Sequence, residues 1–183
     1  SILQNTKQAL SSDEYSNLYA FIQDSFIPAL SLGGNNMDMV RGRSASRESW
    51  QSNRTGRQII SALVQLAQVA PKTQKDYING VCKTLIKEGS AGQSDYYKYI
   101  TNADIKRLSG LLNDSSVEDL PRDTKFYTMN SMERAIVQRD DFTFGLSMSS
   151  SRIANYDTGN NENLKAWYMG QGVTYFYTAD TQQ

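Results

Sequence analysis

The sequence predicts an α+β fold in which a helical region is followed by antiparallel strands. Up to about residue 113, apolar residues recur at three- and four-residue spacing, which is typical of helices that bury one face. Beyond that point the runs are rich in aromatic and β-branched residues and alternate in places, which favours strands. No βαβ alternation joins the two parts, so a doubly wound sheet is not expected.

Four helices are predicted in the first part. Ser11 and Glu14 have the spacing of a capping box at the start of the first helix. Apolar residues from Tyr15 to Leu30 follow at helical spacing until Leu32-Gly33-Gly34, which predicts one long amphipathic helix. The other three predicted helices run from Ile59 to Ala67, ending before Pro71; from about Lys75 to Lys87, closing at Gly89; and from about Asn102 to Leu112.

A linker is predicted where the pattern changes. Asp114-Ser115-Ser116 and the stretch from Leu120 to Asp123 are turn-forming and lack periodicity. We therefore divide the chain into a helical region at 1–113, a linker at 114–124 and a β region at 125–183. The predicted strands are Phe126–Met129, Arg134–Arg139, Phe142–Met148 and Val173–Thr178.

The composition excludes several classes of site. The 183 residues are enough to bury a core, and 19 basic residues balance 19 acidic ones, so net charge gives no argument for binding nucleic acid. Histidine is absent, which removes Ser-His-Asp and Cys-His catalysis and most zinc sites. Cys82 lies in an apolar helical pattern and is predicted to be a buried thiol. No bound metal or cofactor is predicted. No apolar run approaches the ~20 residues that cross a bilayer, so membrane insertion is not expected.

Two passages of the sequence are distinctive. Residues 36–47 read Asn-Met-Asp-Met-Val-Arg-Gly-Arg-Ser-Ala-Ser-Arg, and residues 144–168 contain a Ser-x-Arg run followed by Asn-x-Glu-Asn and an aromatic residue. Both resemble signature stretches of family 8 polysaccharide lyases, which include hyaluronate, chondroitin AC and xanthan lyases. The family's first motif reads roughly Met-Asp-x-x-Arg-Gly-Arg-x-Ile-Ser-Arg, in which Ala45 replaces the isoleucine here. Met132-Glu133-Arg134 is also similar to a family strand, and the motifs follow the family order across about 130 residues.

This resemblance implies the end of an incomplete (α/α) toroid followed by the start of a large antiparallel β-sandwich region, with a polysaccharide cleft between them. It also implies β-elimination, in which the proton at C5 of a uronic acid is removed and the glycosidic oxygen leaves C4. The family uses an asparagine, a tyrosine and a histidine from upstream toroid helices for this chemistry. Because the chain has no histidine, we expect it to be inactive alone and to need the remainder of the parent lyase as its partner.

The resemblance assigns catalytic roles to three residues. Arg43 and Arg47 match two family arginines beside the catalytic tyrosine and the leaving-group sugar, and spacing of four places both on one face if a helix starts here. From the residues alone, an exposed helix start with surface ion pairs is favoured instead. Asp157 matches a family acid, usually glutamate, and Asn160 a substrate-binding asparagine. Without the family, Asp157 to Asn160 is a good β-turn sequence.

The arginines also predict a local positive surface that suits an acidic polysaccharide. Arg41 and Trp50 are predicted substrate contacts, although a tryptophan near a helix start is more often part of the packing. The basic residues counted in this surface are Arg41, Arg43, Arg47, Arg54 and Arg57, with only Glu48 among them.

Two functions from different classes follow. The first is part of a lyase that cleaves hyaluronan or chondroitin, with xanthan as the next choice, in a protein that is secreted or at the cell surface. The alternative is a non-catalytic carbohydrate-binding or structural module. Nucleic-acid binding is disfavoured because the chain has no net positive charge.

Overall fold

A computed structural model describes residues 10–37, 49–91, 95–153 and 172–178. Within these ranges four α-helices precede one four-stranded antiparallel sheet, so the predicted α+β order is confirmed. The helices are α1 (Ser12–Phe21), α2 (Ser49–Ala67), α3 (Lys72–Ser90) and α4 (Asn102–Leu112). The strands are β1 (Phe126–Met129), β2 (Arg134–Gln138), β3 (Phe142–Ser147) and β4 (Val173–Thr178).

The first helix is shorter than predicted. The capping box is present, because the Glu14 amide donates to Ser11 Oγ over 3.3 Å and Glu14 Oε2 accepts from the Ser11 amide over 2.7 Å. Helix α1 nevertheless ends at Phe21, and a wide π-helical turn from Ile22 to Phe26 follows it. The prediction of one helix through Leu30 is wrong. Pro28 has no amide hydrogen and its ring conflicts with the carbonyl four residues earlier, so a regular helix cannot pass through it.

Helices α2, α3 and α4 pack around one apolar core with α1. Helix α3 ends at Ser90, one residue beyond its predicted closure at Gly89. Gly89 is also required for close packing, because a Cβ atom there would overlap the carbonyl oxygen of Gly33. Cys82 is fully buried in this core as predicted, and burial raises the pKa of its thiol to about 12. No helix in the described ranges has the length and apolar character needed to span a bilayer.

The sheet has the strand order β1-β2-β3-β4, and every neighbouring pair is antiparallel. All four strands lie within one residue of their predicted ends. Its pairings include Ile136 opposite Gly145 and Phe144 opposite Phe176. The alternating burial along β3 places every second side chain against the interior.

The segment after α1 lies between the helices and the sheet. Ala29 and Met37 are buried with Tyr127 and Ile136 of the sheet in one apolar cluster. Gln138 Nε2 donates to the Pro28 and Leu30 carbonyl oxygens over 3.3 and 3.4 Å. These contacts fix residues 28–37 against the sheet, and this stretch leads directly into residues 38–48.

Candidate functional site

The predicted site residues fall in two segments that lie mostly outside the described residues. Trp50 is described, at the start of α2. The remaining predicted residues lie outside the described ranges: Arg41, Arg43 and Arg47 in segment 38–48, and Asp157 and Asn160 in segment 154–171. The residues that flank both segments are described, and they show how each segment is attached to the fold.

A buried arginine is attached to the chain that enters segment 38–48. The side chain of Arg57 is 2% exposed. Its Nε donates to the Tyr96 carbonyl oxygen over 2.7 Å, and its Nη1 donates to Asn35 Oδ1 over 2.8 Å. The guanidinium carbon also lies 4.1 Å from the centre of the Tyr96 ring. We call Arg57, Asn35 and Tyr96 the helical anchor.

The prediction that Arg57 contributes to a positive surface is therefore wrong. Arg57 lies on the core face of α2 with Ile60, Val64 and Ala67, at helical spacing, and all are buried. That spacing is visible in the sequence and was a usable signal. Burial lowers the pKa of Arg57, but a guanidinium stays charged, so the anchor holds a charge within the fold. Arg54, three residues earlier, is exposed.

The backbone entering segment 38–48 crosses α2 at close range. The Asn36 amide donates to the Ser52 carbonyl oxygen over 3.1 Å. Gly56 makes this approach possible, because a Cβ atom there would overlap the Gly34 carbonyl oxygen and lie 2.8 Å from the Asn36 nitrogen. Both ends of segment 38–48 thus lie against α2, since Ser49 begins the same helix.

Trp50 packs against a residue that the sequence reasoning missed. Its ring centroid lies 5.0 Å from that of Tyr99, with the planes tilted by 42°. Trp50 is half-buried, whereas Tyr99 is 52% exposed. Lys98 Nζ lies 4.9 Å from the centre of the Tyr99 ring. The run Tyr96-Tyr97-Lys98-Tyr99, aromatic and basic together, was the signal in the sequence.

A second polar cluster lies at the start of segment 154–171. Glu133 has a left-handed backbone, with φ of 51°, and its carboxylate accepts from Ser150 Oγ over 2.6 Å and from Arg152 Nε over 2.9 Å. Arg152 Nη2 contacts the same carboxylate. The hydrogen bonds from Ser150 and Arg152 lower the pKa of Glu133. We call Glu133, Ser150 and Arg152 the sheet anchor.

Both ends of segment 154–171 are attached near the end of β3. The Met148 amide donates to the Glu133 carbonyl oxygen over 2.9 Å, and the Gly172 amide donates to the Ser147 carbonyl oxygen over 2.9 Å. Arg134 Nη1 adds a 3.0 Å bond to the Met148 carbonyl oxygen. The segment therefore belongs to the connection between the end of β3 and the start of β4.

One described flank of each segment packs against the same apolar cluster. Met37, the last described residue before segment 38–48, is buried in the cluster against which Tyr175 packs. Tyr175 lies three residues beyond Gly172, which is about 10 Å along a strand. Within the described ranges no three acidic or cysteine side chains are close enough to hold a metal ion.

The chain matches two family models along most of its length. Residues 1–84 match the model described as polysaccharide lyase family 8, N terminal alpha-helical domain, and residues 123–183 match the super-sandwich domain of the same family. The fold is thus that of the helical toroid of these proteins followed by their antiparallel sheet.

Named relatives and solved structures agree with these matches. The xanthan lyase of Bacillus sp. (strain GL1) is 32% identical over all of this chain and 19% of its own length, and the hyaluronate lyase of Staphylococcus aureus is 33% identical over 90% and 20%. The structure of Paenibacillus xanthan lyase has a TM-score of 0.86 at 33% identity, covering 100% of this chain and 17% of that one. A variant of the Streptomyces coelicolor A3 chondroitin AC lyase has a TM-score of 0.83 at 25% identity, covering 98% and 25%. The chain spans about a fifth of the length of the curated relatives it matches.

Proposed function

Because the chain belongs to polysaccharide lyase family 8, we propose that it forms part of the cleft of an enzyme that cleaves a uronic-acid-containing polysaccharide by β-elimination. Hyaluronan or chondroitin is the proposed substrate, with xanthan next. Relatives named xanthan lyase and hyaluronate lyase match at 32% and 33% identity, so identity does not separate these substrates and the test must include all of them.

The reaction requires charge stabilisation and proton transfer. A base removes the C5 proton of the uronate, the C–H electron pair becomes the C4–C5 double bond, and the C4–O bond breaks as the leaving oxygen takes a proton. The carboxylate beside C5 must be neutralised, because negative charge builds up on it in the transition state. Arg43 and Arg47 are proposed to lie beside the catalytic tyrosine and the leaving-group sugar, where the fixed charge of a guanidinium can stabilise the departing oxygen and bind a carboxylate in a bidentate manner.

We assign the other proposed contacts to both segments. Asp157 is proposed to orient the arginines from the β side of the cleft, and Asn160, Arg41 and Trp50 to bind the sugar. The observation that supports this proposal is a shared apolar cluster: Met37, which precedes segment 38–48, is buried in the cluster against which Tyr175 packs, and Tyr175 follows segment 154–171 on β4.

The proton-transfer groups are proposed to lie elsewhere in a larger polypeptide. The 183 residues contain no histidine, and none of their tyrosines is assigned as the base. The chain alone is therefore proposed to be inactive. Its substrates are polymers that do not cross membranes, so we place the enzyme outside the cell or on its surface.

The test compares the full polypeptide that carries this chain with the 183 residues alone. Each is incubated with hyaluronan, chondroitin and xanthan, and the unsaturated uronate product is followed by its ultraviolet absorbance. We expect product from the full polypeptide only, and at least about a hundredfold loss of kcat/KM for Arg43→Ala or Arg47→Ala, the size expected when a transition-state charge contact is removed. Lys72→Ala, which removes an exposed charge on α3, is the matched control.

A non-catalytic binding module is the competing function. It is favoured by the absence of histidine from the chain. If the full polypeptide binds these polymers but releases no unsaturated product from any of them, the lyase proposal fails and the module is supported.

A further inference from the structure

An aromatic pair joins the start of α2 to the turn at residues 95–100. Trp50 and Tyr99 lie in contact, and about half of the Tyr99 side chain faces solvent. An exposed tyrosine is ordinary by itself. The backbone of Tyr99 is not ordinary, because its φ of 69° lies in the left-handed region that bulky side chains rarely adopt.

Hydrogen bonds and a ring contact stabilise the turn that carries Tyr99. The carbonyl oxygen of Tyr96 accepts the 2.7 Å bond from buried Arg57, and the Tyr97 ring meets the Tyr96 ring edge-on at 4.9 Å. The Lys98 amide donates to the Asp95 carbonyl oxygen over 2.8 Å. These contacts fix the unusual conformation and set the Tyr99 ring against Trp50 before any ligand arrives.

A cation completes this surface. Lys98 Nζ lies 4.9 Å from the centre of the Tyr99 ring, and a lysine ammonium is charged at neutral pH. Aromatic rings bind the C–H face of a sugar, whereas an ammonium binds a carboxylate. A sugar unit that carries a uronate carboxylate matches both features, and a neutral sugar matches only the first.

We infer that Trp50, Lys98 and Tyr99 form a binding subsite for a uronate-bearing sugar unit of the polysaccharide, beside the arginine segment. Trp50 lies three positions after Arg47, and such a length of chain spans at most about 11 Å. A short oligosaccharide can therefore contact both places. The inference rests on the proposed function, because it takes the polymer proposed there as its ligand.

Phe21 and Phe26 provide a contrast within the same chain. They are 56% and 40% exposed, and their rings meet edge-on with centroids 5.3 Å apart. Among the described residues no cation lies over either ring. Phe21 therefore serves as a matched control: an exposed ring of an aromatic pair that lacks the cation.

The test measures binding to the full polypeptide by calorimetry, with size-defined hyaluronan oligosaccharides, xanthan fragments and uncharged dextran as probes. Trp50→Ala and Tyr99→Asn are expected to weaken binding of the acidic probe about tenfold, as for the loss of a buried aromatic contact. Asparagine tolerates the left-handed backbone, so Tyr99→Asn removes the ring without adding strain. Lys98→Gln is expected to weaken binding less and to reduce its salt dependence. Phe21→Ala should leave binding unchanged.

The kinetic signature separates binding from packing. A subsite away from the reacting bond raises KM in Trp50→Ala and Tyr99→Asn and leaves kcat and the melting temperature near those of the unsubstituted protein. If both variants bind the acidic probes normally while Arg43→Ala binds weakly, the subsite is refuted and the proposed function stands. If both variants instead lower kcat and melting temperature together, the residues are packing and the inference fails. Tight binding of dextran would refute the uronate assignment, and no binding of any acidic probe by the unsubstituted protein would refute both proposals.

Discussion

The helical anchor and the sheet anchor hold the two candidate segments in different ways. Arg57 is 2% exposed and donates to neutral oxygens of Asn35 and Tyr96. On the sheet side, Glu133 pairs with Arg152, whose side chain is 69% exposed. Removing a buried charge leaves the polar groups that it contacted without hydrogen-bond partners. When an exposed ion pair is removed, water takes over most of its hydrogen bonds, so the loss of stability is smaller. The comparison indicates that the helical anchor contributes more to the stability of the fold than the sheet anchor does.

The largest expected effect follows from removing the buried charge. Arg57→Met keeps the apolar stem but leaves Asn35 Oδ1 and the Tyr96 carbonyl oxygen without their guanidinium donor. We expect the free energy of unfolding to fall by about 3 kcal/mol. Urea unfolding of the polypeptide that carries the chain measures this change.

Arg54→Met is the matched control, because Arg54 is an exposed arginine one turn earlier on the same helix. Its expected change lies within about 0.5 kcal/mol. Equal urea midpoints for Arg57→Met and Arg54→Met would show that the helical anchor does not stabilise the fold. The contrast between the helical anchor and the sheet anchor would then disappear.

A second, smaller effect concerns the close contact between Gly56 of α2 and the backbone at Gly34 and Asn36. In Gly56→Ala the new methyl group meets the Gly34 carbonyl oxygen and the Asn36 nitrogen, so the chain entering segment 38–48 must move. We expect a loss of about 2 kcal/mol in the free energy of unfolding, as for other overpacked sites. Thermal unfolding measures it.

Gly110→Ala is the matched control with the opposite sign. Gly110 lies in α4, and nothing lies within 4 Å of its would-be Cβ atom. Alanine has the higher helix propensity, so this variant should gain roughly 0.5–1 kcal/mol. A loss of similar size in both variants would show that the contact with Gly34 is not the cause.

Local patterns predicted most of the fold, and contacts between distant residues explain what was missed. The spacing of apolar residues in α2 and the alternation in β4 are local, so both elements were found. The packing role of Gly89 was missed, because the residue that it contacts, Gly33, is distant in sequence. Tyr99 was missed for the same reason, since its partner Trp50 lies on another element.

The candidate site was only partly accessible to the same reasoning. The motifs identified its two segments, and Trp50 was named as a contact. Arg57 was misassigned because the basic residues were grouped by their closeness in sequence. On the helix, Arg57 shares the buried face with Ile60 and Val64. The cluster around Glu133 depends on a left-handed residue between two strands, which no propensity indicates.

The smallest expected effect lies on the sheet side, and it depends on pH. Hydrogen bonds from Ser150 and Arg152 lower the pKa of Glu133 in the folded protein from its ordinary value of 4.5. A depressed folded pKa adds stability above the unfolded value and loses it as the pH falls through the folded value. Glu133→Gln should therefore lower the melting temperature at neutral pH, by less than Arg57→Met does, and the difference should vanish in acid well below pH 4.5.

The control for this variant is Asp141→Asn, which neutralises an exposed carboxylate in the turn between β2 and β3. Melting curves of Glu133→Gln and Asp141→Asn are compared at neutral and acidic pH, with and without added salt. High salt should reduce the effect of Glu133→Gln, because most of the Arg152 side chain is in water and its charge is screened. A difference that persists in acid and in high salt would mean that Glu133 acts through shape rather than charge. The proposed difference between a charge-dependent sheet anchor and the buried helical anchor would then fail.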